Sequence, residues 1–368
     1  MSETTSTTNV AATEATSIDM AAVEAGVGAV VGFMTGAAVM AGVVLGERLG
    51  LYRAMAGFGG ISSDELAGRA RCNRRLVREW LDGQTSAGLV SYDAAGDRYT
   101  LSAEHALILA DEDSPAFLAG GAGLLEAMYQ GLTRMATAFK GDGGFPWSEQ
   151  HASLFPATAR FFRPGYRTNL VASWLPALEG VVERLTTAGG RIADVGCGFG
   201  HSATVMAQAF DKAEIAGFDY HAGSIEQAAA LAAEQGLGSR VTFQQADAVS
   251  YGGTYDLICF FDCLHDMGDP VGIARHAAEH LAPGGTVMVV EPFALDTRPE
   301  NHGNPAAALF YHASTFLCTP NSLSQDVGRG MGAQSGEPGM RGVFEEARYS
   351  HFRRATETPF NIVYEARV

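Results

Sequence analysis

The sequence predicts an α/β protein in which a mostly parallel β-sheet follows a smaller helical domain. From Gly190 onward, apolar runs of strand length alternate with helical stretches, which is the pattern of a parallel sheet. Before that region, Ile61 to Ser102 has the pattern helix, turn, helix and hairpin. The composition, 47% hydrophobic and 18% charged over 368 residues, allows two domains with a sizeable core.

The N-terminal segment is polar at first and then apolar. Residues 1–20 are rich in Ser and Thr and predict a disordered tail. Ala25 to Gly46 is uncharged and long enough to span a bilayer, but it is rich in Gly and Ala and continues into an amphipathic stretch. Glycines recur at helical spacing within it: Gly28, Gly32 and Gly36. We interpret the run as a buried or dimer-forming helix, with a membrane span as the alternative. The first basic residue is Arg48, so we expect no secretory signal and a soluble, cytoplasmic protein.

Residues 21–120 are predicted to form a winged-helix and dimerisation domain. Ser63 is the expected cap of its first short helix, because Asp64 and Glu65 follow in the first turn. Leu89 to Ser102 predicts a two-stranded hairpin. Arginines cluster here: Arg69, Arg71, Arg74, Arg75 and Arg78. They invite a DNA-binding interpretation, but the net charge of −16 opposes nucleic-acid binding and favours pairing with carboxylates.

Residues 121–187 predict connecting helices that contribute to a substrate pocket. Aromatic side chains recur along them, and most must belong to the core. Pockets for small molecules form between domains and are lined by such side chains. The predicted acceptor contacts in this region are Tyr129, Trp147 and Phe162.

Residues 188–368 are predicted to form the sheet domain. The expected strands are Arg191–Val195, Glu214–Phe218, Val241–Gln245, Tyr255–Phe261 and Thr286–Val290, with two more near Tyr349–Ala355 and Asn361–Ala366. The expected helices are His201–Phe210, Ser224–Gln235 and Pro270–Leu281. The five cysteines are scattered, which fits free thiols in a reducing compartment. Cys259 and Cys263 have the spacing of a metal-binding pair, but no second pair accompanies them, so no metal site is predicted.

A glycine loop follows the first strand of this sheet in "RIADVGCGFGHS". Gly196, Gly198 and Gly200 can bring the backbone close to a ligand. A dinucleotide fingerprint would have a glycine where His201 stands, which argues against a dehydrogenase.

Three aspartates stand at strand ends near this loop. Asp219 can accept hydrogen bonds from a ribose diol, Asp247 can meet an adenine edge, and Asp194 can hold an amine. A ligand with a ribose and an amine and no need of phosphate contacts suggests S-adenosylmethionine. Neighbours predicted to complete its site are Tyr220, Ala248 and Phe261.

The stretch "FFDCLHDMGDP" places four ionisable side chains after a buried strand: Asp262, His265, Asp266 and Asp269. It suggests either a catalytic base at the mouth of a cleft or a solvated loop. Asp262 is expected to touch cofactor or substrate, and Asp266 and Asp269 to cap the helix that begins at Pro270.

Taken in order, "DVGCGFG", "GFDYH", "ADA", "YDLICFFDCLHDMGDP" and "LAPGGTVMVVEP" resemble a class I S-adenosylmethionine-dependent methyltransferase. With the winged helix, the chain resembles bacterial two-domain small-molecule O-methyltransferases over about residues 40 to 368. The resemblance implies a Rossmann-like, seven-stranded, mostly parallel sheet whose last strand is antiparallel. It also implies a homodimer built through the N-terminal domain.

The same resemblance gives His265 a role. In the plant-type enzymes the corresponding "LHDW" segment carries the histidine that takes the acceptor's hydroxyl proton, and His265 matches it although Met267 replaces the tryptophan. A neutral imidazole can act in this way near pH 7. A substrate contact or a structural role remains open, because positioning alone can drive methyl transfer. Asp262 is the second predicted catalytic residue, and Tyr311 and His312 are further predicted acceptor contacts.

The sequence thus predicts methyl transfer from S-adenosylmethionine to a small, partly apolar acceptor, with oxygen favoured over nitrogen and carbon. The rival interpretation is a regulator that binds S-adenosylmethionine and uses its winged helix on DNA.

Overall fold

A computed structural model describes residues 18–141 and 143–368. Most of the predicted tail, residues 1–20, lies outside the described residues. The predicted fold class is confirmed: a helical N-terminal part precedes an α/β domain built on a seven-stranded sheet. The N-terminal elements are α1 (Met20–Arg48), α2 (Leu51–Met55), α3 (Ser63–Ala70), α4 (Arg74–Ser86), β1 (Ser91–Asp93), β2 (Arg98–Thr100) and α5 (Ala103–Leu109).

Helices connect this part to the sheet. They are α6 (Gly123–Gln130), α7 (Leu132–Ala138), α8 (Leu154–Gly165), a π-helical segment (Tyr166–Trp174) and α9 (Val181–Thr187). Short π-helical segments are rare and frequently occur at functional sites.

The α/β domain contains β3 (Gly190–Val195), α10 (His201–Ala209), β4 (Ala213–Asp219), α11 (Ala222–Glu234), β5 (Val241–Gln245), β6 (Tyr255–Phe261), α12 (Pro270–Glu279) and β7 (Leu281–Pro292). It continues with α13 (Arg298–His302), α14 (Ala307–Ala313), a second π-helical segment (Ser314–Cys318), α15 (Thr319–Leu323), α16 (Gly336–Glu346), β8 (His351–Glu357) and β9 (Asn361–Arg367). All seven strands lie where the sequence predicted them, and β7 is longer than the predicted Thr286–Val290, mainly at its N-terminal end, which begins at Leu281.

The sheet has the strand order β5-β4-β3-β6-β7-β9-β8. Strands β3 to β7 pair in parallel, and β9 runs antiparallel between β7 and β8, as the resemblance implied. The order reverses between β3 and β6, because the chain leaves β3 towards β4 and later returns to the other side. A reversal of this kind opens a crevice at the carboxyl ends of the strands, where ligands bind in such sheets.

Side chains of successive strand residues point to opposite faces and build two cores. On β6, Leu257 and Cys259 pack on one face with Trp174 and Met206. Ile258 and Phe260 pack on the other face with helix α16 and the C-terminal strands. Because both faces are covered by helices, the strands are apolar almost throughout.

The N-terminal part has its own core around Tyr52, Leu66 and Trp80. One predicted detail is wrong: the cap of α3 is Ser62 rather than Ser63. The Ser62 hydroxyl accepts a hydrogen bond from the amide of Glu65, and the Glu65 carboxylate accepts one from the amide of Ser62. The predicted hairpin is present as β1 and β2.

Three of the five arginines of the predicted cluster engage carboxylates or an aromatic ring. Arg74 lies 3.5 Å from Asp64, Arg75 pairs with Glu79, and Arg69 covers the ring of Phe58. These pairs are exposed, so they contribute little to stability.

Helix α1 is long, apolar and mostly exposed. It alone, among the described residues, is long and apolar enough to cross a membrane, which is weak evidence by itself. A methyl group added at Gly28, Gly32 or Gly36 would meet nothing within 4 Å, so the predicted close packing is not met within one chain. The end of α1 is anchored instead, because Arg160 of α8 pairs with Glu47.

Candidate active site

A cavity of about 660 Å³ lies at the carboxyl ends of β3, β4 and β6, where the strand order reverses. One wall is the glycine loop after β3. The opposite wall consists of aromatic side chains from the connecting helices. The position agrees with the crevice that parallel sheets use for ligands.

The glycine loop lines this cavity with left-handed backbone. Gly196 has φ 76°, and a methyl group there would lie 2.8 Å from the sulfur of Cys263. Gly198 has φ 51°, and a methyl group there would meet nothing within 4 Å. The first glycine is therefore required by the protein's own packing, whereas the second leaves open space beside the backbone. Gly200, also predicted to contact the cofactor, does not line the cavity: it is the cap residue of α10, and a methyl group there would lie 2.6 Å from the ring of Phe243.

Asp219 fixes the loop at the end of β4. Its carboxylate accepts hydrogen bonds of 2.9 Å from the amides of Gly198 and of His221. Burial raises the pKa of Asp219, and these two hydrogen bonds oppose that rise. Each carboxylate oxygen retains a further lone pair, so Asp219 can also accept from a ligand in the cavity.

Asp194 is fully buried at the end of β3 and is not among the residues that line the cavity. One of its oxygens accepts a 2.6 Å hydrogen bond from Ser202, which does line the cavity. The other oxygen, Oδ1, is buried and has no protein partner. Burial raises the pKa of Asp194 to about 7.

The remaining residues predicted to contact the cofactor lie along the cavity. Tyr220 and Asp247 follow β4 and β5, Ala248 follows Asp247, and Phe261 ends β6. His221, two residues after Asp219, does not line the cavity: it caps α11, and its ring stacks on that of Phe155 with the ring centroids 4.1 Å apart.

His265 lies on a short turn after β6 and is only 2% exposed. It does not line the cavity, although its neighbours Asp266 and Met267 do. Its Nδ1 is in close contact with the carboxylate of Glu291, which is also buried, at the end of β7. The carboxylate that holds the ring is thus Glu291, and not one of the three aspartates in the same stretch.

Burial and Glu291 act in opposite directions on His265. Burial disfavours the imidazolium, but the adjacent Glu291 carboxylate raises the pKa of His265 well above its usual value. The ring therefore holds its proton more firmly than a free imidazole. Cys318, from the second π-helical segment, faces the same ring.

The three aspartates of this stretch have separate roles. Asp262 has φ 52°, and its Oδ1 accepts a 2.8 Å hydrogen bond from Asn361 while its Oδ2 has no protein partner. Burial raises the pKa of Asp262 well above its usual value and that of Asp266 to about 7. Asp269 caps α12 through the amide of Gly272, as predicted. Asp266 instead lines the cavity, so its predicted capping role is wrong.

The predicted acceptor contacts divide into two groups. Trp147 and Phe162 line the cavity. Tyr129, Tyr311 and His312 lie outside it, and Tyr129 is 60% exposed on α6. Periodicity could not separate these groups, because each aromatic residue lies in a helix of similar composition.

The structure adds lining residues that the sequence did not single out. Phe155 and Tyr166 come from the connecting helices, and Asn321 and Gln325 come from α15 and the turn that follows it. Both of the latter side chains donate to the backbone oxygen of Asp266, at 3.1 and 3.5 Å. The segment after α14 therefore holds the turn that carries His265.

The charge of the cavity wall is one-sided. Its lining contains six carboxyl side chains and, among the residues that the structure describes, no lysine or arginine. The carboxyl groups belong to Asp219, Asp247, Asp262, Asp266, Asp269 and Asp326. Burial raises the pKa of Asp219, Asp262 and Asp266, so these three carry less negative charge than free carboxylates, but no described lining residue is a lysine or arginine that could pair with an anion. Such a wall favours neutral or cationic ligands over anions.

Comparison with known families decides what kind of domain surrounds this cavity. Residues 186–327 match the family model of a methyltransferase domain, and residues 36–111 match that of an Rv2258c-like winged HTH domain. Residues 186–327 form a methyltransferase domain. That domain contains the glycine loop, Asp219, His265 and Glu291. Trp147 and Phe162 lie before it in the chain.

Curated relatives of the methyltransferase domain act on different atoms. The chain is 32% identical over 146 residues to 27-O-demethylrifamycin SV methyltransferase of Amycolatopsis mediterranei, which is 39% of this chain and 48% of that protein. It is 29% identical over 109 residues to ajmaline N-methyltransferase of Rauvolfia serpentina, which is 29% of this chain and 37% of that protein. The chain thus spans about half or less of the length of these relatives.

Solved structures similar to the whole chain show the same two-domain fold. A putative O-methyltransferase of Nostoc punctiforme superposes with a TM-score of 0.67 at 22% identity, covering 89% of this chain and 94% of that one. The mitomycin 7-O-methyltransferase MmcR superposes with a TM-score of 0.63 at 19% identity, covering 95% and 100%. Each of these folds thus covers both the N-terminal part and the α/β domain of this chain.

Proposed function

We propose that this protein transfers a methyl group from S-adenosylmethionine to an oxygen atom of a small, partly apolar acceptor. The observation that carries the proposal is the shared cavity: a glycine loop held by Asp219 forms one wall, and aromatic residues beside the His265–Glu291 pair form the other.

The residues of the first wall fit S-adenosylmethionine. The space beside Gly198 lets a ligand approach the backbone, and Asp219 keeps lone pairs for ribose hydroxyls. The unpartnered Oδ1 of Asp194, behind Ser202, fits an amine reached directly or through water. When bound, S-adenosylmethionine supplies an activated methyl group on a positively charged sulfonium, which suits a cavity lined by carboxyl groups.

The residues of the second wall position the acceptor and handle its proton. Trp147, Phe162 and Tyr166 offer flat apolar surfaces for a ring system. We assign His265 the role of general base, with Glu291 holding the ring at Nδ1 so that Nε2 receives the proton of the acceptor hydroxyl. Because His265 lies behind the cavity wall, Asp266 or Met267 has to shift for the acceptor to reach it.

Asp262 is assigned to the acceptor as well. Its Oδ1 accepts a hydrogen bond from Asn361, and its Oδ2 has no protein partner. Because Asp262 lines the cavity, we assign Oδ2 to the acceptor. Burial raises the pKa of Asp262, which favours its protonated form, and a protonated carboxyl group can donate a hydrogen bond to an acceptor oxygen.

The one-sided charge of the cavity also restricts the acceptor. An acceptor with a carboxylate or phosphate group would meet six carboxyl side chains and no cationic partner among the described lining residues. We therefore propose a neutral or amine-bearing acceptor. The same observation favours nitrogen as a second candidate atom, because an amine would be attracted to this wall.

We further propose that the protein is a soluble, cytoplasmic homodimer. Exposed apolar residues recur along α1, including Val27, Val30, Val31, Phe33 and Met34. The open glycine positions of the helix would let a second backbone approach closely. Light scattering after size-exclusion chromatography tests this: Val31→Glu should yield monomers, whereas a wild-type monomer would refute the proposal.

The winged helix is proposed to serve this assembly rather than DNA. Three of its arginines, Arg69, Arg74 and Arg75, engage Phe58, Asp64 and Glu79, and the chain is acidic. A salt-dependent complex with duplex DNA would instead support the regulator.

Calorimetry and mass spectrometry together test the main proposal. S-adenosylhomocysteine should bind and NAD should not, and methyl-labelled S-adenosylmethionine should label a compound in a panel of neutral and amine-bearing hydroxyl compounds. Asp219→Asn should lose both binding and labelling, whereas the exposed Asp211→Asn serves as the matched control. Binding without any labelled product would move the assignment towards a regulator.

A further inference from the structure

Three side chains with different metal-binding atoms lie close together behind the second wall of the cavity, the wall proposed to hold the acceptor. A ring nitrogen of His265, a carboxylate oxygen of Asp266 and the sulfur of Cys318 all lie within 4.8 Å of one another. His265 and Asp266 belong to the turn after β6, and Cys318 ends the second π-helical segment. The cluster joins segments far apart in the chain, so neither segment alone predicts it.

This set of donors is one that Zn²⁺ prefers. Zinc binds cysteine sulfur at about 2.3 Å, histidine nitrogen at about 2.0–2.1 Å and carboxylate oxygen at about 2.0–2.2 Å. Around a tetrahedral ion two such ligands therefore lie about 3.3–3.6 Å apart. The three atoms lie within 4.8 Å of one another, so side-chain shifts of about an ångström bring them into this range.

The surroundings of the cluster resemble those of a metal ligand. Metal-binding histidines nearly always hold a carboxylate or carbonyl with their second nitrogen, and here Glu291 occupies Nδ1 of His265. The nitrogen left for an ion is Nε2. Asn321 and Gln325 hold the backbone of Asp266 in place, so the turn that supplies two of the ligands is fixed from outside.

The site would also have an entrance and an open position. Asp266 lines the cavity, whereas His265 is buried. Three protein ligands leave the fourth position of a tetrahedral ion free for water. An ion could therefore enter from the cavity, and Cys318, a free thiol that is half-buried, would complete the set.

We propose that His265, Asp266 and Cys318 bind one Zn²⁺ ion and that this ion opposes methyl transfer. The second half rests on the proposed function, because Nε2 of His265 cannot hold an ion and receive the acceptor's proton at once. The first half does not depend on any activity.

Cobalt binding to the full-length chain tests the site directly. The protein is treated with a chelator, which is then removed, and is titrated with Co²⁺ in a reducing buffer without thiols. Wild type should develop a thiolate-to-cobalt absorption band, and Zn²⁺ should abolish it. Cys318→Ser should lose the band, whereas Cys72→Ser, which changes a thiol in the N-terminal part, should keep it. No band in wild type, or an equal band in Cys318→Ser, would overturn the site.

A second variant guards against local misfolding. Glu291→Gln keeps all three ligands and should weaken Zn²⁺ binding by about 10–100-fold, as the loss of an outer partner of a ligating histidine does. Unchanged affinity in a variant with the wild-type melting temperature would contradict the proposed arrangement.

The effect on methyl transfer is measured separately as a ratio. Zn²⁺ should lower the transfer rate of wild type and of Cys72→Ser, and a chelator should restore it. In Cys318→Ser the ratio of rates with and without Zn²⁺ should lie near unity. If the cobalt band appears but Zn²⁺ does not slow methyl transfer by wild type, the proposal that the ion opposes transfer is wrong. If no transfer occurs under any condition, the proposed function fails while the cobalt result decides the site.

Discussion

The two walls of the cavity differ in how the chain builds them. The donor wall consists of the glycine loop and Asp219, which lie directly at the ends of neighbouring strands β3 and β4. The acceptor wall is assembled from separate segments that carry Trp147, Phe162, Asp266 and Asn321. The donor wall therefore depends on local chain geometry, and the acceptor wall depends on how distant helices pack.

The two walls also differ in how readily their residues can be exchanged. The loop has one geometry, because the left-handed backbone at Gly196 leaves no room for a side chain beside Cys263. The helices of the acceptor wall can exchange one aromatic residue for another of similar volume at modest cost. One type of donor site can thus be combined with different acceptors on one fold.

The largest expected effect, the loss of both donor binding and methyl transfer, concerns the donor wall. Asp219→Ala removes the acceptor of two backbone hydrogen bonds, from Gly198 and His221, as well as the proposed ribose contacts. Hydrogen bonds to charged groups contribute about 1.5–3 kcal/mol each, so the affinity for S-adenosylhomocysteine should fall by about 100-fold or more. Calorimetry measures it, with Asp211→Ala as control. An affinity within about threefold of wild type, on the order of a measurement error, would remove Asp219 from the site.

The next effect concerns the base. His265→Ala should lower the transfer rate by about 10²–10⁴ and leave the affinity for S-adenosylhomocysteine unchanged. His312→Ala, which changes an exposed histidine outside the cavity, is the control. A rate equal to wild type would make His265 structural.

The pH dependence sharpens the same point. The Glu291 carboxylate raises the pKa of His265, so the base is available only above that raised value and the rate should climb as pH rises through it. Glu291→Gln removes the charge and leaves burial to lower the pKa, so the rising limb should move to lower pH. If the rising limb of the pH–rate profile stays at the same pH in Glu291→Gln, that limb does not report the ionisation of His265.

A smaller effect is expected on the aromatic wall. Trp147→Ala and Phe162→Ala remove apolar surface that lines the cavity. Losing about 1–2 kcal/mol of acceptor contact should raise the KM for the acceptor by roughly 5- to 30-fold, while donor affinity stays unchanged. Steady-state kinetics at saturating donor measure this, and equal losses of donor and acceptor binding would argue for general unfolding.

The smallest effect is expected at two predicted acceptor contacts that lie away from the cavity. Tyr129→Ala and Tyr311→Ala change side chains outside its lining. Both variants should keep the acceptor KM within about twofold of wild type, since surface substitutions usually change free energies by under about 0.5 kcal/mol. A large rise in KM for either would extend the site to α6 or α14.

The strands, the glycine loop and the strand-end aspartates were predictable because their signals are local. Apolar runs that alternate with helical stretches predict β3 to β7. Glycines predict the loop after β3, because its backbone is left-handed and glycine adopts that conformation without strain. Ser62 was missed as a cap by one residue, because Ser63 follows it and either serine could precede the acidic turn.

Glu291 was not predictable in the same way. In "VVEPF" it looks like an ordinary residue at the end of a strand. Its role follows from the parallel pairing of β6 with β7, which places the two strand ends together and brings Glu291 against the ring of His265. Cys318 and Asn321 reach the same turn from a segment much later in the chain, and no spacing in the sequence indicates that contact.

The most direct test follows methyl-labelled S-adenosylmethionine through wild type, Asp219→Asn and His265→Ala while S-adenosylhomocysteine affinity is measured on the same preparations. We expect label on a neutral or amine-bearing acceptor with wild type, no donor binding with Asp219→Asn, and normal donor binding with little label for His265→Ala. Label transferred equally by wild type and His265→Ala, or donor binding by wild type with no label on any acceptor, would contradict it.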